Sequence, residues 1–412
     1  MAQPQQRGIA RTIGGAVAMA ALLVACSSHR PAPNSSHQPA PNSPLRGPGS
    51  PTVEHWGSFF GGQPGNFDVQ TSPVAMTLPG TVAGVGSSNS TQYALLANGS
   101  LYAWGLGTQG QLGDGREVSS FRTPVRVHFP AGVRIASIPT DVMPYDTGLA
   151  VDTTGHAWGW GRNRGGELCL GDSKAHRTPV RLPLAHVTTL AGASNHALYD
   201  ASGTVYACGQ NVEGDLGDAS MQSTTTPVKV AGLDGAPVTQ LVASFANSGA
   251  LLATGQYYDW GYDSSGQLGN GRPRRSSDVP VLVRLPRPVT QVAQGGSLWD
   301  NGQSLVLLSD GSLWSWGAGG SYQLGTGGRG LRAAPVRFRA PAGVKFQRLA
   351  TGSATSYALS GTGKVYAWGV SHVGQVGNGQ TGAAVGPVLV ASGATQISAT
   401  ANNVVIAVAA RP

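Results

Sequence analysis

The sequence predicts an all-β protein, a seven-bladed β-propeller closed by pairing its N- and C-terminal strands. Three observations predict it. Trp-Gly recurs at Trp56, Trp104, Trp160, Trp260, Trp316 and Trp368, with Cys208-Gly209 as a seventh copy, at spacings of 48 to 56 residues. An X-Pro-Val triplet follows every anchor after 17 to 20 residues, with prolines at Pro73, Pro124, Pro179, Pro227, Pro280, Pro335 and Pro387. Composition agrees: 61 glycines and 27 prolines supply turns, while 11% charged residues and four glutamates leave little material for exposed helices. Repeats of this length, each a small sheet unable to bury both faces alone, pack by radial stacking.

Taken in chain order, residues 1–25 read as a targeting segment. Arg7 and Arg11 precede the apolar run from Ile13 to Ala25, short for a membrane-spanning helix but suited to a signal-peptide core. The run ends in Leu23-Val24-Ala25-Cys26, which resembles the bacterial lipobox. That resemblance implies cleavage before Cys26 and a diacylglyceryl group on its sulfur. Each buried methylene contributes about 0.8 kcal/mol, so several acyl chains anchor firmly. The implied location is a cell membrane, lipid-anchored, on the extracytoplasmic face.

Residues 26–51 are rich in Pro, Ser and Asn and carry almost no apolar bulk. Such a segment cannot bury enough surface to offset its ordering entropy and reads as a disordered, semi-extended tether.

Residues 52–410 hold the repeats. Segments such as YALLAN and SLYAW, or SYALSG and KVYAW, are short, β-branched or aromatic, and bounded by turn residues. Ala97-Asn98-Gly99 and Ser309-Asp310-Gly311 read as hairpin turns, and each proline suits an edge strand that needs no ladder N–H. From each proline to the next anchor takes 29 to 36 residues, yet 25 remain after Pro387. The deficit is met if TVEHW, from Thr52 to Trp56, supplies the last strand of the final blade, which removes exposed edges.

With these residues in view, the repeats resemble the regulator of chromosome condensation family, whose signature is W-G-x-N-x-x-G-Q-L-G. The copies are WGLGTQGQLG from Trp104, WGRNRGGELC from Trp160, CGQNVEGDLG from Cys208, WGYDSSGQLG from Trp260, WGAGGSYQLG from Trp316 and WGVSHVGQVG from Trp368. WGSFFGGQPG from Trp56 is degenerate. The resemblance implies a seven-bladed propeller. It also explains the G-x-G-x-x-G of Gly105, Gly107 and Gly110 as turns in a blade linker rather than a nucleotide loop. It likewise gives His196 a scaffold role.

The lipobox takes Cys26, and Cys169 and Cys208 remain as a candidate disulfide in an oxidising compartment. Both stand where the repeat has another residue, and spacing alone does not decide whether they bond.

No catalytic motif is present in the sequence: no HExxH, no G-x-S-x-G, and no acidic cluster suited to a metal. The reading is a non-enzyme with no cofactor and no metal. The alternatives are a lyase or hydrolase using the central channel, or a secreted-enzyme inhibitor. Binding is better motivated, because seven equivalent loops gather on one face and their contents diverge. Met143, Tyr145 and Asp146 in an enlarged loop, Phe245, and Trp299 with Asp300 place large side chains where a turn needs only small ones. Aromatics beside polar residues are typical interface anchors. The partner would be an extracytoplasmic protein or a cell-wall polymer, met by a monomer. The formal charge of +8 raises nucleic acid, but its densest cluster, Arg272, Arg274 and Arg275, lacks interleaved aromatics and argues against it.

Overall fold

The computed structural model describes residues 52–59, 69–139, 142–233, 235, 237–296 and 302–408. Its strands form seven sheets, antiparallel except for one short added strand, arranged as the blades of a propeller. The third blade shows the plan: Val187–Ala193 innermost, then His196–Ala201, Thr204–Gly209 and Thr224–Lys229 at the outer edge. The anchor Cys208 lies on the third strand and Pro227 on the outer one, whose residues are largely solvated. Every described X-Pro-Val occupies such an outer strand, where proline's missing N–H faces solvent instead of a ladder partner.

Two ends of the ring follow from this order. Loops from first to second strand and linkers from third to outer strand emerge together at one end, as the Leu106 amide bonding to the Ser90 carbonyl at 2.8 Å shows. Hairpin turns and linkers to the next blade emerge at the other. These are the loop end and the turn end.

The ring closes by its termini. Thr52–Ser58 pairs with Asn403–Val408, in register from Thr52 opposite Val408 to Gly57 opposite Asn403. The sequence reading made this the last strand of the closing blade; it is the third of four. Val69–Thr77, with Pro73, follows it as the outer strand. The reason is that an anchor strand and its proline strand form one hairpin-like pair in every blade, so the N-terminal segment contributes both.

Linkers stitch blade to blade through the repeat signature. Five of the buried anchor tryptophans donate the indole N–H to the carbonyl of the Gln-position residue in the preceding linker: Trp160 to Gln111 at 2.9 Å, Trp260 to Asp215 at 3.0 Å, Trp316 to Gln267 at 2.7 Å, Trp368 to Gln323 at 2.9 Å and Trp56 to Gln375 at 2.9 Å. The ring then lies against the glycine two residues later. At Gly113, with φ of 66°, a Cβ would sit 2.9 Å from the Trp160 ring. Burying these side chains between blades is the main cohesive contribution, at roughly 25 cal/mol per Å² of apolar surface removed from water.

The enlarged loop after Ser137 departs from the plan. Val142–Met143 adds a short parallel strand to the inner strand Val82–Ser88 and makes the first blade five-stranded. Met143 is fully buried within the apolar cluster of Tyr93, Ile138 and Trp160. Its Cε fills the space left by Gly86, where a Cβ would meet it at 3.0 Å. The sequence reading of Met143 as an interface anchor is therefore corrected: it is a core side chain.

Candidate binding face

At the loop end the first-to-second-strand turns are mostly two or three residues long and polar. Among the described residues, two of them carry large aromatics. Tyr145 reaches from the enlarged loop of the second blade, past the third blade's turn, to Phe245 on the fourth blade's turn. Their ring centroids lie 6.2 Å apart at 59°. Both residues are partly buried, with some of each open to solvent.

Arg162 holds this arrangement. It follows the anchor Gly161, whose own conformation (φ of 89°) turns the linker so that the guanidinium lies under the loop. Its Nε donates to the Tyr145 carbonyl at 3.0 Å, and a terminal nitrogen donates to the Ser194 carbonyl at 3.1 Å and to Asn195 Oδ1. The Tyr145 amide donates to the same Ser194 carbonyl at 2.9 Å. Glu167, fully buried, lies 3.9 Å from the guanidinium, and Asn195 donates in turn to Gln210 at 2.7 Å. One arginine ties the second blade to the third.

The electrostatics follow from burial. Desolvation raises the Glu167 carboxyl above its ordinary range, with Arg162 opposing. Asp146, at φ 55°, is likewise raised by burial, against Arg162 and the amide of Gln111, which donates to its Oδ1 at 3.3 Å. Burial pushes the Tyr145 hydroxyl up to about 12, so it stays a neutral donor at physiological pH. His196, beneath the face, is lowered to about 4 by burial, and its Nε2 sits 3.0 Å from the buried Ser248 Oγ. That serine donates to the Asp215 carbonyl and is shut off from solvent, so the contact is part of the scaffold.

Of the residues singled out in the sequence, Tyr145, Asp146 and Phe245 come together here. Trp299, Asp300 and Cys26 lie outside the described residues. Cys169 and Cys208 are joined as a disulfide, with Cα atoms 5.5 Å apart, in the buried seam between the second and third blades. The basic cluster of Arg272, Arg274 and Arg275 sits in the fourth blade's linker at this end. Sequence reasoning missed Arg162, Asn195 and Gln111. The signal was available, since Arg162 is the only charged residue directly after a described Trp-Gly anchor.

A closed ring of seven repeated blades with a loop-bearing end defines a β-propeller built of linker-locked repeats. The regulator of chromosome condensation (RCC1) repeat matches residues 98–139, 202–250, 254–298 and 310–359. The chain belongs to the RCC1 repeat family. Among relatives, it is 28% identical over 285 residues to the ultraviolet-B receptor UVR8 of Arabidopsis thaliana, covering 68% of this chain and 63% of that one. It is 28% identical over 289 residues to the human E3 ubiquitin-protein ligase HERC2, of which the match spans 6%. The chain thus spans less than two thirds of either relative. Among solved structures, human WBSCR16 superposes with a TM-score of 0.76 at 20% identity, covering 88% of this chain and all of that one. Prp20p of Saccharomyces cerevisiae superposes with a TM-score of 0.74 at 20% identity, covering 88% and 92%. At these identities the likeness is one of fold.

Proposed function

We propose that this protein is a lipid-anchored, extracytoplasmic propeller that acts as a non-catalytic protein-binding module through its loop end. The observation that carries the reading is the Tyr145–Phe245 pair. Two aromatic side chains from separate blades meet at the surface, over a network in which a partly buried arginine holds the loop in place. A partly exposed aromatic pair on a rigid polar base is the arrangement of an interface anchor, because little conformational entropy remains to be lost on binding.

Two further points support it. The Cys169–Cys208 bond suits an oxidising compartment, in line with export and acylation at Cys26. Within the family, yeast Prp20p is a propeller whose binding to Gsp1p and histones has been characterised, and a complex of yeast RCC1 with Kap60 is known. The partner of this chain is an extracytoplasmic protein, with a cell-wall polymer as the second possibility.

The test is crosslinking on intact cells that express the tagged chain. Tyr145→Ala and Phe245→Ala should each remove the captured partner while leaving the melting temperature nearly unchanged. Retention of the partner in both variants would refute the assignment of the face. Separately, Cys26→Ser should move the protein from the membrane to the soluble fraction.

A further inference from the structure

The turn end carries a charge pattern that the linear sequence conceals. The residue after Pro-Val is Arg126, Arg181, Lys229 and Arg337 in four blades, paired across strands with Tyr102, Trp158, Tyr206 and Trp314. All four cations are exposed at the same end of the ring. Linkers to the next blade add the exposed Arg134, Arg284, Arg287, Arg339 and Lys345. Lys364 stands on a hairpin turn and Arg348 on an inner strand near the channel mouth, both exposed. Against these, the described acids of the turn end are the exposed Asp310, the half-buried Glu54, and the buried Asp152 and Asp200.

The loop end is balanced. Three of its cations meet acids directly, Arg116 with Asp114 at 2.6 Å, Arg177 with Glu117 at 2.9 Å and Arg162 with Glu167 at 3.9 Å, and the other linker cations stand among Asp172, Glu213, Asp218 and Asp278 of the same end. The net positive charge of the chain is therefore concentrated on one end of the propeller, and the Arg272–Arg275 cluster is not part of it.

The position of Thr52 gives this end a direction. Thr52 pairs with Val408 and with Thr77, the last residue of an outer strand, so the chain enters the ring at the turn end. We propose that the turn end is a docking surface for an anionic phospholipid bilayer, which holds the propeller against its membrane with the Tyr145–Phe245 face turned outward. The placement rests on the anchored reading above, because an acyl chain on Cys26 would tether the ring from this side. Cations within a Debye length of anionic headgroups add their attractions, and many weak contacts suffice once the tether supplies a high local concentration. A nucleic acid fits less well, since the aromatics beside these cations are half-buried or buried in the blades and offer no stacking platform.

The test uses the full chain carrying Cys26→Ser, which has no acyl anchor. It is sedimented with vesicles of phosphatidylcholine, with and without phosphatidylglycerol, at low and high salt. Binding is expected only with phosphatidylglycerol and at low salt. Replacing Arg284, Arg287, Arg339 and Lys345 together by Gln should lower the partition coefficient by about tenfold or more. Replacing Arg272, Arg274 and Arg275 by Gln should leave it nearly unchanged. Equal melting temperatures across the three proteins exclude unfolding as the cause. Absence of binding, equal binding to pure phosphatidylcholine, equal loss from both sets of substitutions, or tighter binding to a DNA duplex each overturns the proposal. Membrane retention of the unmodified chain in cells reads the anchor independently, so failure here is distinguishable from failure there.

Discussion

The disulfide between Cys169 and Cys208 occupies the place where neighbouring blades put a glycine against a tryptophan. Cys169 stands at the last glycine of the linker signature, equivalent to Gly113, Gly217, Gly269, Gly325 and Gly377, and it keeps their positive φ, at 58°. Cys208 stands at the tryptophan. In the other blades a Cβ on that glycine would collide with the indole, so a side chain is admitted here only because the indole is gone. One contact has been exchanged for one covalent bond.

A stability swap follows. Cys169→Ser should lower unfolding free energy by about 3 kcal/mol, since the bond closes a long loop and its loss leaves a void in the seam. The pair Cys169→Gly with Cys208→Trp should recover at least half of that loss by rebuilding the lock used elsewhere. Denaturant melts of the three proteins under non-reducing conditions decide it. A double variant no better than the single one would mean that this seam is shaped differently from its neighbours.

Acid stability is expected to run opposite to the usual carboxylate pattern at Asp215. It sits at the Gln position of the linker signature, and burial, its first cause, pushes its carboxyl up to about 8. A raised carboxyl holds its proton better in the folded than in the unfolded state. Its contribution is thus complete below about pH 4 and is lost as pH rises toward 8. Asp215→Gln restores the residue of Gln111 and Gln267, whose Oε1 accepts an amide two residues back at 2.8 and 2.6 Å. The variant should be more stable than the parent at pH 8 by at least about 1 kcal/mol, with the gap closing near pH 4. Melting temperatures across that range check both sign and window.

Ring closure predicts an outsized effect near the first described residues. Trp56 is buried, donates to the Gln375 carbonyl, and meets Tyr357 edge-on at 6.4 Å between centroids. Trp56→Ala should cost about 3–5 kcal/mol, as for a tryptophan in the middle of a core. It should also speed hydrogen exchange in Asn403–Val408, some 350 residues away in sequence, because that strand pairs directly with Thr52–Ser58. Unchanged exchange there would mean the closing blade holds without its N-terminal strands.

The fold was legible because its determinants repeat. Trp160, Trp260 and Trp316 each make the same bond to the same backbone position, so spacing alone reported the packing. The place of Thr52–Trp56 in its blade was misjudged by one strand, since distance counting finds a missing strand without saying which one it is. The candidate face was half legible. Tyr145 and Phe245 stood out as large residues in turns, but 100 positions apart nothing in the chain says that they touch. Met143 stood out for the same reason and is buried, because the cavity it fills is made by Gly86 on a strand far earlier in the chain. The basic end was invisible, since its cations come one or two per repeat and gather only when the blades are stacked.

The strongest claim about the face concerns Arg162, and it can be tested without a partner. Glu167 is fully buried and Arg162 is the cation recorded against it, while Tyr145, Ser194 and Asn195 all depend on the same guanidinium. Arg162→Met keeps much of the apolar stem but leaves a buried carboxyl without its counter-charge and removes one donor each from the Tyr145 and Ser194 carbonyls. The loss should reach about 3–5 kcal/mol, more than a surface arginine could give. Adding Glu167→Gln removes the stranded charge, supplies the residue found in most other linkers, and should restore a large part of the stability. The loop bearing Tyr145 would still lack the guanidinium bonds to it and to the third blade's turn. Partner capture should therefore stay weak in the double variant although folding recovers, a separation that a merely structural arginine would not produce.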